Sequence, residues 1–238
     1  MSAMANEIRV MTSGAFTAAY LELVPQLEAL TQKTIVTAAT SIGTGENSIP
    51  NRLKRGEAVD VIIVADAVLA GFIKDGLVVA DSYTPLVRSA IGMAVRAGAA
   101  KPEIDSVEAL KRTLLQARSI AYSASVSGDY LTKELYQKLG IADQVMNKSR
   151  LIGGGERVGA VIARGEAEIG FQQMSELLPV AGIAHVTPLP PEVQKVSVFS
   201  AGVATTTCDA ATARAVIKFL GSPAAAAAII KSGLDPIV

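Results

Sequence analysis

The chain has 238 residues, half of them hydrophobic, which is enough for a real core in one large domain or two smaller lobes. Lys plus Arg and Asp plus Glu number 22 each, so the formal charge is zero and there is no basic field for nucleic acid. Cys208 and His185 are the sole residues of their kinds, which excludes an intrachain disulfide, a His-dependent triad with a spare imidazole and a multi-His metal site.

In chain order, strands are expected at Ile8–Met11, Thr34–Ala39, Val61–Val64, Ile91–Val95, Ser119–Tyr122, Glu168–Gln172 and Val196–Ala204. Helices are expected at Phe16–Leu30, Ser48–Arg55, Ala67–Asp75, Val107–Gln116, Asp129–Leu139, Arg157–Arg164, Met174–Leu178, Ala210–Leu220 and Pro223–Ser232. Glycines 56, 76, 140, 165 and 233 close several of the helices. Strands interleaved with helices imply an α/β fold with largely parallel sheets whose faces are covered. Asp105-Ser106-Val107-Glu108 reads as a helix cap with an acid in the first turn, and Ser222-Pro223 as a cap followed by a first-turn proline. No uncharged apolar run reaches the length of a bilayer span, and no basic, apolar leader precedes the first strand. The sequence as it stands therefore reads as cytoplasmic, or as periplasmic if it is a trimmed mature form.

Four strand-to-helix junctions share one composition: Thr12-Ser13-Gly14-Ala15, Thr40 to Ser48, Ser123 to Asp129, and Gly153 to Arg157. The first turn of a helix exposes unpaired N–H groups, and neighbouring hydroxyls add donors, so several such ends together would make an anion site without a metal. For any one of them the alternative is a plain helix cap. Ser13-Gly14 and Ser127-Gly128 are the foremost candidates, with Thr44 and Asn47 in the second loop. No P-loop, Rossmann or nucleophile-elbow spacing is present.

Arg88, placed just before a strand, and Arg157, after Gly153-Gly154-Gly155, could each fork onto a carboxylate or serve as surface or ion-pair residues. Gln172 and Gln173 end a strand and face opposite ways; Gln172 is taken as the ligand residue, the alternative being solvent-facing amides. Glu46, Asp129 and Glu156 lie in the same loops, as helix caps or as an acid or base, and Tyr130 is read as a packing residue with its hydroxyl near the cleft. His185 is read as structural and Cys208 as a small core residue.

The segments "VMTSGAFTAAYLELVPQLE", "ATSIGTGENSIPNRLKRGEAVDVIIVAD", "GFIKDGLV" and "ERVGAVIARGEAEIGFQQMSEL" resemble the type II solute-binding proteins, in particular the molybdate-binding-protein-like group, over almost the whole chain. The resemblance implies two lobes, 1–87 with 199–238 and 88–198, joined by two crossing strands, with a ligand cleft between them. It also departs from that group. Amides stand where its oxyanion binders have a tyrosine, and Gly43, Thr44, Gly45 and Asn47 replace a run of serines. Arginine with amides suits a planar carboxylate better than a tetrahedral oxyanion. The expected function is thus capture of a small organic di- or tricarboxylate by a monomer, with an ABC importer as partner, no cofactor and no insertion into a membrane. The alternative is a cofactor-independent isomerase, since some relatives resemble aconitate isomerase, which moves a proton across an allylic acid. Molybdate or tungstate binding is a third reading.

Overall fold

A computed structural model describes residues 6–237 apart from 40, 44 and 154. The chain divides into two compact units. The first runs up to Arg88 and resumes at Ser197; the second is Ser89–Val196. Eleven strands lie among the described residues: β1 Glu7–Thr12, β2 Thr34–Ala39, β3 Val61–Ala65, β4 Thr84–Ser89, β5 Ile91–Arg96, β6 Ile120–Ser123, β7 Ser149–Ile152, β8 Ile169–Gln173, β9 Ile183–Pro188, β10 Ser197–Val203 and β11 Asp235–Pro236.

The first unit holds a six-stranded sheet in the order β11-β4-β10-β3-β1-β2. Strands β2, β1 and β3 are parallel neighbours, and β10 runs antiparallel beside β3. All five residues of β3 are buried, as expected of a strand covered on both faces. Helix Gly14–Thr31 places Phe16, Ala19, Tyr20, Leu23 and Leu27 on its buried face, at helical spacing, and ends at Gln32 in the left-handed region.

The second unit holds a five-stranded sheet in the order β7-β6-β8-β5-β9. Here β7, β6 and β8 are parallel, while β5 is antiparallel to both β8 and β9. Both sheets are therefore mixed: the antiparallel partners β10 and β5 each stand against the last of three parallel strands. On one face of the second sheet lies a core containing Leu110, Leu114, Ile120, Leu131, Tyr136, Ile169 and Phe171. On the other, helix Val158–Ala163 packs with Ala121 and Ile152. Gly170 makes that approach possible, because a Cβ there would lie 2.6 Å from Val158 Cγ1 and 2.8 Å from Ile162 Cγ1.

Several expectations need correction. Arg88 does precede β5, but it also lies within a strand of its own, β4, whose character Pro85 and the polar ends hid in the sequence. Strands β7 and β9 flank the second sheet as edges, where no alternating apolar face is required. The helix expected from Asp129 starts at Val126 and continues through a wider π stretch, Tyr130–Leu135, to Lys138. Ser222 sits at a cap position, yet its hydroxyl turns back to the Phe219 carbonyl (2.7 Å). Cys208 is exposed, since it lies in the turn after β10 and not in the core. Among the described residues no single helix is long and apolar enough to cross a membrane.

Candidate functional site

In an α/β sheet the carboxyl ends of parallel strands face the first turns of the helices that follow, and ligands collect there. Each unit carries its own set of polar groups at such an edge.

In the first unit, Ser13 follows β1 and precedes helix Gly14–Thr31 in extended conformation (φ −68°, ψ 159°). Its N–H donates to the Ile63 carbonyl on β3 (2.7 Å). That bond fixes the residue, but the side chain makes no cap bond. Its Oγ is buried without a partner among the described residues, with only 3% of the residue exposed. Ser48, which precedes helix Ile49–Lys54, repeats the pattern: φ −68°, ψ 152°, no cap bond and an unpartnered, buried Oγ. A buried hydroxyl left unsatisfied costs about 1–3 kcal/mol. The helix-cap alternative therefore does not account for either side chain. Gly14 is the first residue of its helix. Glu46 and Asn47 are exposed in the turn before Ser48, and the main-chain oxygen of Glu46 accepts a bond from Arg55 (2.8 Å). Thr44 lies outside the described residues.

In the second unit, β6, β7 and β8 end side by side. At the end of β6 and just beyond it stand three hydroxyls in mutual contact: Ser123 with Ser125 at 2.7 Å, Ser123 with Ser127 at 3.0 Å, and Ser125 with Ser127 at 3.2 Å. Ser127 is fully buried. Gly128 is required for packing, because a Cβ there would lie 1.8 Å from the Ser123 carbonyl oxygen. This is a close approach of helix to strand.

At the end of β8, Gln172 and Gln173 face opposite sides of the sheet. Neither is solvent-facing, since helices cover both sides; both are buried. Gln172 shares the face of Gly170, toward helix Val158–Ala163. One step beyond the observed register of β6 with β8 sets Ser123 beside Gln172. Gln172 Nε2 donates to Glu176 Oε2 at 2.5 Å. Gln172 Oε1 and both amide atoms of Gln173 are buried without partners among the described residues, as is Ser89 Oγ at the end of β4.

Glu176 is the residue that sequence reasoning passed over. It lies in the short helix Met174–Leu177 that β8 runs into, and it is buried. Burial pushes its carboxyl up to about 7; the nearby charge of Arg157 and the bond from Gln172 act in the opposite direction. Arg157 itself is exposed, at the N-cap position of helix Val158–Ala163. Arg88 is also exposed, opposite Asp235 in the β4–β11 pair.

The remaining acid-base candidates are otherwise engaged. Asp129 is exposed and paired with Lys133 (2.9 Å), and Glu156 is ion-paired with Arg164. The Tyr130 hydroxyl donates to the Val193 carbonyl (2.6 Å), and burial raises its pKa. Among the described residues no three His, Cys, Asp or Glu side chains gather into a metal site.

The sequence model of the bacterial extracellular solute-binding proteins matches residues 8–235. Aconitate isomerase of a Pseudomonas species is 41% identical over 231 residues, which is 97% of this chain and 88% of that protein. The periplasmic molybdate-binding protein of Azotobacter vinelandii has the same fold, with a TM-score of 0.72 at 18% identity, over 97% of this chain and 99% of that one. The sulfate-binding protein SubI of Mycobacterium tuberculosis H37Rv gives a TM-score of 0.74 at 15% identity, over 98% of this chain and 87% of that one. At those identities the two structures establish the fold alone.

Proposed function

We propose that this chain, which belongs to the bacterial extracellular solute-binding protein family, is a cofactor-independent isomerase of an unsaturated tricarboxylic acid, interconverting cis- and trans-aconitate. One observation carries this reading. Among the described residues, the buried polar atoms left without partners include, beside Arg9 Nε near the start of β1, the hydroxyls of Ser13, Ser48 and Ser89 and amide atoms of Gln172 and Gln173, in a chain 41% identical to an aconitate isomerase over nearly its whole length. Of these, the serine hydroxyls and the Gln173 Nε2–H are donors that can hold carboxylate oxygens without a fixed charge, and Arg157 supplies a positive charge near Gln172 and Glu176. The reaction changes no oxidation state; it needs one group to take a proton from the methylene carbon and return it at the far end of the allylic system.

Capture of a small carboxylate for an ABC importer is the second reading, favoured by the family itself. The extracellular setting in the family's description is proposed for this chain as well. A single experiment separates the two. Purified protein is incubated with trans-aconitate in deuterated water and followed by proton NMR against a protein-free control. Interconversion supports the isomerase. Saturable binding without interconversion over hours leaves the capture reading, and neither binding nor turnover rejects aconitate as the ligand.

A further inference from the structure

We propose that Glu176 is the catalytic residue that carries the proton in this isomerisation, and that Gln172 positions its carboxyl; the assignment rests on the isomerase reading. Three observations lead to it. First, its place: the short helix Met174–Leu177 begins directly at the end of β8, on the edge where β6 and β7 also end and where the Ser123, Ser125 and Ser127 hydroxyls cluster. Second, its partner: an amide can serve both forms of a carboxyl. Gln172 Nε2 donates to Glu176 Oε2, a bond that serves the ionised form, and after a flip its Oε1 accepts from the protonated form. A lysine or arginine in that place would hold only the anion. Third, the unmet valence beside it: Gln172 Oε1, on the amide that holds Glu176, is buried and unpartnered among the described residues, and the residue is more than nine-tenths buried. A buried acceptor of this kind calls for a polar partner beside Glu176.

Of the competing carboxylates, Glu46 is exposed in the turn before Ser48, in the first unit and not at the end of β8. Asp129 and Glu156 are held in exposed ion pairs with Lys133 and Arg164. Burial raises Glu176 toward the pH at which a base both holds and releases a proton readily, and Arg157 is the charge that restrains the rise.

The step balances without a co-reactant. Ionised Glu176 takes a proton from the substrate methylene. The C–H bond breaks, a carboxyl O–H forms, and the electron pair spreads over the allylic carbons onto a substrate carboxylate. The same proton returns to the other allylic terminus, the double bond moves by one carbon, and Glu176 is again ionised.

The test is Glu176→Gln in the full chain, with trans-aconitate as probe. The expected result is a fall in kcat of about 100-fold or more, with the dissociation constant for trans-aconitate changed less than about three-fold. A kcat within three-fold of wild type overturns the assignment. Wild-type protein that binds aconitate without converting it overturns the isomerase reading itself, and this assignment with it. If the amide variant does not fold, Glu176→Asp replaces it, with the carboxyl withdrawn by one methylene. A ten-fold loss of kcat at unchanged affinity then supports the role, and an unchanged kcat overturns it. For Gln172, the readout is the acid limb of kcat/KM against pH. Gln172→Leu removes a donor to the ionised form and should move that limb to higher pH; an unmoved limb overturns the positioning role.

Discussion

Replacing Glu176 by glutamine should stabilise the protein in neutral solution and have little effect in acid. The carboxyl sits at about 7 in the folded chain against an ordinary value of 4.5, a rise of about 2.5 units. At 1.36 kcal/mol per unit, folding loses about 3 kcal/mol through this group once it is ionised in both states. The sign follows from proton uptake. Below pH 4.5 the carboxyl is protonated folded and unfolded, and it costs nothing. Between 4.5 and 7 only the folded chain keeps the proton, so stability falls as pH rises, and above 7 the loss is complete. Arg157 and Gln172 are the groups acting on this carboxyl, and both remain in the variant. Urea unfolding followed by circular dichroism at pH 4.5, 5.5, 6.5 and 8 measures the difference between variant and wild type, in which all other titrations cancel. It should grow from near zero to about 3 kcal/mol. A difference that is constant with pH would refute the argument, because it would mean that the carboxyl ionises alike in both states.

Three further substitutions or modifications bear on the site and its frame. Ser13→Ala should leave the melting temperature unchanged or raise it, because its Oγ makes no cap bond, while weakening aconitate binding by about 0.5–1.5 kcal/mol in calorimetric titration. A lower melting temperature with unchanged affinity would return Ser13 to a structural role. Gly128→Ala should cost about 1–3 kcal/mol or more in thermal unfolding, since the added methyl meets a main-chain carbonyl that cannot turn aside. Cys208 should react stoichiometrically with a thiol reagent in the native state, and a thiol that needs denaturant would contradict its exposure.

The parts of this fold that repeat regularly were legible. β2, helix Val107–Gln116 and helix Ala210–Leu220 have the bounds that periodicity and capping residues imply. β4, β7 and β9 were not, because a strand with a proline inside it or an open edge beside it need not alternate. At the site, the hydroxyl junctions around Ser13 and Ser127 were legible as strand-to-helix turns. Glu176 was not. An acid in the first turn of a helix ordinarily reads as a solvated partner of the helix dipole, and its burial comes from contacts made by distant segments.

The capping residues make the same point most sharply. Ser106 and Asp209 each accept a bond from the N–H three residues on, at 3.2 Å to Ala109 and 3.1 Å to Thr212, as their side chains predispose them to do. Ser13 and Ser48 have the same chemistry at the same kind of position and make no such bond. The backbone separates the two pairs. Ser106 and Asp209 both lie at φ −139°, whereas Ser13 and Ser48 both lie at φ −68°. For Ser13, that conformation comes with the N–H held by Ile63 across the sheet. A tertiary contact thus withdraws a hydroxyl from the role its sequence position suggests and leaves it buried and unspent. A hydroxyl in that state costs stability unless something binds to it, so the serines that fail to cap are better markers of a ligand site than those that succeed.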